Sequence, residues 1–325
     1  MKTTKRLVRV LICAGLAAAA TATYAQAWPS RPIKVIVSQA AGGAPDTICR
    51  LITDRLSRSL GQQVVVENRP GSGNIVGAQA AARAAPDGYT IFFATAAALV
   101  TNPYTFKSLP YDPLRDFVPV AMVAKGPFFV LAHPNVPVKT LAELVAYDKA
   151  NPGKLAFATD GPRNFSGMVA AWLNKLMGTQ ILVVPYANMP QGVQDTLAGR
   201  TQLVVLAVPA AAPFIKRGEL RPLAETFAHR IPGYDEVPPV AETFPGFEFI
   251  GWFAFVAPAG TQADVVQKMN REIDRVLKEP EVTQRLATLG FYTEGGDTPE
   301  GTARFIRAEL ANWGRIVREI GMQPE

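Results

Sequence analysis

The chain of 325 residues carries 33 Lys and Arg against 27 Asp and Glu, for a net charge of +6, and 48% of it is hydrophobic. Lys2, Lys5, Arg6 and Arg9 supply four of the basic residues, so beyond residue 27 the excess falls from six to two, and no later Lys/Arg cluster forms the stripe that a nucleic acid requires. About 298 residues beyond that point are many for one core and suit two domains, while two histidines and two cysteines without metal-ligand spacing exclude a zinc site and a disulfide framework.

The basic start leads into an apolar run over 11–20 and two small-x-small sites, Thr23-Tyr24-Ala25 and Ala25-Gln26-Ala27. That order predicts a secretory signal peptide over 1–27, cleaved after Ala25 or Ala27, with a run too short to span a bilayer. Ile12 before Cys13 is not the small residue that a lipoprotein site needs. Export to the periplasm is therefore expected, and Cys49, left alone, reads as a small buried hydrophobe.

Ile33-Lys34-Val35-Ile36-Val37 is the first predicted strand. A small-residue turn over 39–45 leads to a helix on which Ile48, Leu51, Ile52 and Leu56 recur at helical spacing, with Gly61 as its stop. A short strand at 64–66, a turn over 68–73, a helix over 74–85 and a strand over 89–93 follow. The next set comprises a strand at 128–131, a helix at 140–150, a strand at 155–158, a helix at 165–177, a strand at 181–184, a helix near 191–198 and a strand at 203–206. A long apolar strand over 247–256 and helices over 265–277 and 299–320 complete the chain. This alternation predicts an α/β fold with largely parallel sheets. The long apolar segments near 117–132 and 247–257 read as two crossover strands. They divide the chain into residues 28–125 plus 253–325 as one domain and 126–252 as the other.

Two loops carry the chemistry. Ser38-Gln39-Ala40-Ala41-Gly42-Gly43-Ala44-Pro45-Asp46 and Thr159-Asp160-Gly161-Pro162-Arg163-Asn164-Phe165-Ser166 each follow an apolar strand, contain glycine and open a helix. Unpaired N–H groups and the positive end of the helix dipole make such a start a site for carboxylate or phosphate. Asp46 is expected as the N-cap of its helix, and Ser166 as a cap or first-turn residue. Catalysis finds little support. His133 and His229 stand apart, and neither a G-x-S-x-G elbow nor a Walker A loop is present.

Further segments carry a resemblance. They are Trp28-Pro29-Ser30-Arg31-Pro32-Ile33, Val66-Glu67-Asn68-Arg69-Pro70-Gly71, Ala85-Pro86-Asp87-Gly88-Tyr89-Thr90 and Leu109-Pro110-Tyr111-Asp112-Pro113. Asn151-Pro152-Gly153-Lys154, Val184-Pro185-Tyr186, Trp252-Phe253 and Ala257-Pro258-Ala259-Gly260-Thr261 extend the series. Together with Gly42-Gly43-Ala44-Pro45-Asp46, they make the chain similar to the Bug-type receptors, the periplasmic substrate-binding components of tripartite tricarboxylate transporters, over essentially all of 28–325.

The resemblance implies a two-domain Venus-flytrap fold of the type II-like periplasmic binding kind, closing on a small carboxylate without catalysis, cofactor or metal. It implies ligand contacts from Gly42, Gly43, Ala44 and Asp46, from Thr95 and Ala96, and from Thr159, Gly161, Asn164, Phe165 and Ser166. The implied partners are the carboxylate and integral membrane transporter subunits; a monomer is expected. Departures bear on specificity. Leu206-Ala207 stands where many members carry Asp, Phe165 occupies a position commonly small and polar, and Arg163 could pair with a distal carboxylate. An acid with an apolar or aromatic body, of the benzoate or phthalate type, is therefore favoured over a citrate-like acid. Presentation of the ligand to a sensor rather than a transporter stays open.

Overall fold

The computed structural model describes residues 28–186 and 188–324, so the signal peptide expected over 1–27 lies outside the described residues. Two five-stranded sheets organise the chain. The first joins β1 (Ile33–Val37), β2 (Val64–Asn68), β3 (Thr90–Thr95), β4 (Phe117–Gly126) and β10 (Gly251–Pro258) in the order β2-β1-β3-β10-β4. The second joins β5 (Phe128–Ala132), β6 (Ala156–Thr159), β7 (Leu182–Pro185), β8 (Leu203–Ala207) and β9 (Arg221–Glu225) in the order β7-β6-β8-β5-β9.

Both sheets are mixed rather than largely parallel. β10 runs antiparallel to β3 and β4, and β5 antiparallel to β8 and β9. The reason lies at the crossings. Parallel neighbours need a helix to carry the chain back, whereas an antiparallel strand can enter directly. β5 follows β4 after Pro127 alone, and β10 returns the chain to the first sheet.

Nine helices of eight residues or more among the described residues cover these sheets: α1 (Ala44–Leu60), α2 (Ile75–Ala82), α3 (Leu141–Ala150), α4 (Phe165–Met177), α5 (Met189–Leu197), α6 (Val208–Lys216), α7 (Ala263–Leu277), α8 (Pro280–Thr288) and α9 (Pro299–Glu319). α1 ends at Gly61, whose φ of 67° takes the left-handed turn that stops a helix. α7 buries Val265, Val266, Met269, Ile273, Val276 and Leu277 along one stripe, which packs in the core of the first sheet together with Ile48 and Ile52 of α1. α9 starts under a Thr298 cap whose Oγ1 accepts from the Gly301 N–H at 3.0 Å. One turn in, Thr302 accepts from the Met122 N–H at 3.0 Å. At its far end, Glu319 accepts from the Trp172 indole of α4 at 2.9 Å, so this helix spans both sheets.

The strand expected over 247–256 begins only at Gly251, because Phe247, Phe249 and Ile250 are buried as irregular chain within an aromatic cluster. The helix expected over 74–85 ends at Ala82. Among the described residues, no helix is long and apolar enough to cross a membrane.

Candidate functional site

The ends of strands from both sheets and the starts of α1 and α4 enclose a cavity of about 340 Å³. That is the small end of the range for ligand pockets, suited to a small molecule. Of the residues expected at a site, Ala44, Thr95, Ala96, Arg163, Asn164 and Phe165 line it. Gly42, Gly43, Asp46, Thr159, Gly161, Ser166 and Leu206 do not line it.

The first loop shows why Asp46 stands back. Gly43, not Asp46, is the N-cap of α1, because Pro45 occupies the first turn, where its fixed φ suits a helix start. Asp46 instead lies one turn in, 3% exposed, and accepts from the Gly42 N–H at 2.9 Å. It also accepts from the Asn68 amide at 2.9 Å and from the Arg50 guanidinium at 3.0 Å. Asn68 donates in turn to the Gln39 carbonyl at 3.0 Å. Burial opposes ionisation, but Arg50, the Gly42 N–H and Asn68 together hold the carboxyl below its usual range. Its charge is thus used in bracing the turn. No side chain caps the Gly43 end of α1, which leaves the first N–H groups to whatever enters the cavity.

The second loop closes on itself in a similar way. The Asp160 N–H donates to Ser166 Oγ at 2.8 Å, and the Ser166 hydroxyl donates to Asp160 Oδ1. The Asn164 amide donates to the Asp160 carbonyl at 2.6 Å, so it does not cap α4 although Asn164 is the N-cap residue. Ser166 is 3% exposed with its hydroxyl spent inside the turn. At the third strand end, Thr95 Oγ1 accepts from the Ala98 N–H at 3.2 Å.

The opposing walls are aromatic. Phe128, Phe165, Trp252, Phe253, Phe291 and Trp313 line the cavity, and Arg163 is its one charged lining residue among the described residues. One face of Phe165 is already taken, since its ring stacks on Phe128 with centroids 3.8 Å apart and meets the Phe249 ring at 4.5 Å. Gly126 admits Phe291: a Cβ there would lie 2.4 Å from that ring. Sequence reasoning did not place Phe128, Met168, Phe253, Phe291 or Trp313 at a site, because an apolar strand or helix residue looks alike in a core and in a cavity. Leu206 packs into the second sheet, while Ala207, one residue on, faces the cavity. No group of three or more His, Cys, Asp or Glu among the described residues is placed to hold a metal.

Comparison with known proteins finds the same architecture. The profile of the tripartite tricarboxylate transporter family receptor matches residues 48–322. Protein BugT of Bordetella pertussis is 34% identical over 323 residues, covering 99% of this chain and 99% of that protein. Among solved structures, an R. palustris protein with adipate superposes with a TM-score of 0.75 at 31% identity, covering 92% of this chain and 100% of that one. MatC from Rhodopseudomonas palustris, with bound malate, gives a TM-score of 0.70 at 29% identity over 89% of this chain and 100% of that one.

Proposed function

The chain belongs to the tripartite tricarboxylate transporter receptor family, and from that premise we propose that it is a periplasmic receptor that captures a small carboxylate with an apolar or aromatic body and delivers it to membrane transporter subunits. Members of this family are solute-binding receptors rather than enzymes. The observation that carries the ligand reading is the pairing of two helix starts, at Ala44 and at Asn164-Phe165, with aromatic walls in one cavity. At the second start the Asn164 and Ser166 N–H groups already donate to the Gly161 carbonyl and to Asp160 Oδ1. The Phe165 N–H and, across the cavity, the Ala44 N–H therefore complement a carboxylate, and the rings complement an apolar remainder.

In this reading the backbone at Ala44, at Asn164-Phe165 and at the Thr95-Ala96 turn holds one carboxylate. Asp46 and Ser166 act by bracing the loops rather than by touching the acid, and Arg163 at the rim serves a second carboxylate in a longer acid. Adipate and malate in the two related structures are aliphatic dicarboxylates. The preference for an aromatic body here rests on the ring-lined wall and on Ala207 in place of a polar side chain. Residues 28–125 plus 253–325 and residues 126–252 form the two closing halves, hinged where the chain crosses near residues 126 and 252. Closure shifts the population toward the state in which both helix starts reach the ligand.

A thermal-shift panel of aliphatic and aromatic acids tests the proposal. Benzoate- and phthalate-type acids are expected to raise the midpoint most, since a ligand at a hundred times its Kd adds about 2.7 kcal/mol to stability. Shifts by citrate-like acids alone would overturn the aromatic preference, and a panel without any shift would overturn the carboxylate reading.

A further inference from the structure

We propose that Glu309 is a positioning residue that sets the Trp252 indole of the ligand cavity, beside Trp313, and couples the shape of that cavity to its own protonation. The ligand part of this proposal rests on the reading of the cavity as a carboxylate site; the coupling of indoles to Glu309 does not.

The geometry is specific. Trp252 lies on β10 and Trp313 on α9, and both line the cavity while being 1% and 3% exposed. Between them sits Glu309, itself only 6% exposed. Its Oε2 accepts from the Trp252 indole N–H at 3.2 Å. Trp313 lies one helical turn along α9, and its indole and the Asn312 amide also favour the charged form. A single carboxyl therefore connects the crossing strand to the C-terminal helix directly behind the cavity wall.

Among the described residues, nothing of opposite charge is paired with it. Glu248, before β10, is the charge whose field reaches it, and it carries the same sign. Lys125 on β4 is the register partner of Trp252, but its ammonium lies over the Phe305 and Phe227 rings at 5.1 and 5.7 Å. Arg315 is held by Glu319 at 3.0 Å and by the Asn312 side-chain amide oxygen, Oδ1, at 2.7 Å. Lys175 of α4 acts on Glu319. Tyr104, from the turn packed beside α9, donates its hydroxyl to the Leu310 carbonyl at 2.8 Å.

Burial pushes this carboxyl up to about 7, with Glu248 adding to the shift and the indole and amide donors opposing it. An indole N–H only donates, and an ionised carboxylate only accepts, so the charged form holds the Trp252 indole at its best. Protonation turns one oxygen into a donor and leaves a poorer acceptor, which loosens the Trp252 indole and re-aims its ring in the cavity. The ligand wall and the ionisation of Glu309 are thus one equilibrium, and a ligand that fits one ring arrangement must shift the other.

Intrinsic fluorescence of the ligand-free protein between pH 5.5 and 8.5 tests the coupling without any ligand. The wild type is expected to show an emission transition near pH 7, and Glu309→Gln, which keeps the shape but cannot ionise, is expected to lose it. The other indole-carboxylate pair, Trp172 with Glu319, does not compete in this window, because Arg315 and the indole outweigh burial and lower that carboxyl. Benzoate affinity over the same range should change several-fold in the wild type and stay flat in Glu309→Gln. Should Glu309→Gln fail to fold, Trp252→Phe, which removes the indole donor and keeps the acid, is expected to diminish the transition. An unchanged transition in either folded variant overturns the proposal. A transition lost in Glu309→Gln, with no benzoate binding at any pH, supports the coupling and counts against the carboxylate reading instead.

Discussion

Gly167→Ala is expected to leave the protein folded and to weaken carboxylate binding by about a hundredfold, equivalent to roughly 2.7 kcal/mol. Gly167 is buried in the first turn of α4, and a Cβ built on it would lie 2.0 Å from the Gly161 carbonyl oxygen and 2.7 Å from its carbon. Alanine favours a helix interior over glycine by about 1 kcal/mol, so propensity alone predicts a gain. The contact decides otherwise, because the obstructing atoms are backbone and cannot swing aside as a flexible side chain could. Relief requires the turn at 161–164 to lift away from the helix, at an overpacking cost of about 1–3 kcal/mol. That motion carries Asn164 and the start of α4 out of register with Ala44 across the cavity. Calorimetric titration with an acid, alongside a thermal midpoint, separates the two effects. Wild-type affinity in a folded Gly167→Ala protein would show that the turn does not hold the ligand.

The second large effect is a loss of stability as pH rises from about 5 to 8.5, of roughly 3 kcal/mol or more from each of two buried glutamates. Glu225, 0% exposed at the end of β9, accepts from the Ile231 N–H at 3.0 and 3.2 Å through its two oxygens. Burial pushes it up to about 8, with the Ile231 N–H and Arg230 opposing. Glu309 is pushed up to about 7. The unfolded chain returns both to 4.5, so between 4.5 and these values the native state binds more protons. Stability is then fully present below 4.5 and is lost as pH rises through 7 and 8. Asp46 has the opposite sign: its lowered carboxyl contributes above 3.8 and is lost as pH falls. Urea denaturation across this range is expected to show the decline, and Glu225→Gln and Glu309→Gln should each flatten it. A wild-type stability that is level from pH 5 to 8.5 contradicts this assignment.

Much of the frame is legible in local pattern. Val35, Ile36 and Val37 form a continuous apolar run because β1 is covered on both faces, and helices such as α4 and α7 keep their apolar spacing over three turns or more. β9 is hidden by the opposite logic. Arg221-Pro222-Leu223-Ala224-Glu225 looks like a loop, and a glutamate with no exposure breaks any alternation. Helix starts are visible as glycine-containing turns, but which residue caps them is decided by competition. Asp46 has the composition of a cap, yet Pro45 lets the helix begin before it and leaves the carboxylate to reach back to Gly42. Of the aromatic walls, only Phe165 is legible in the sequence. Phe128 lies more than a hundred residues before Trp252 and Phe291, and only the two crossings bring them onto one cavity. Phase within a strand is equally silent in composition, so Leu206 and Ala207 exchange places between core and cavity.

Calorimetric titration of the strongest acid from the panel against its own primary amide tests the central claim most directly. The amide keeps the body and shape of the ligand and removes its charge. Two helix starts donating to a carboxylate predict single-site binding of the acid and at least about tenfold weaker binding of the amide, since hydrogen bonds to a charged group contribute roughly 1.5–3 kcal/mol. An amide that binds as tightly as the acid would contradict the account, because the cavity would then be reading the apolar body alone.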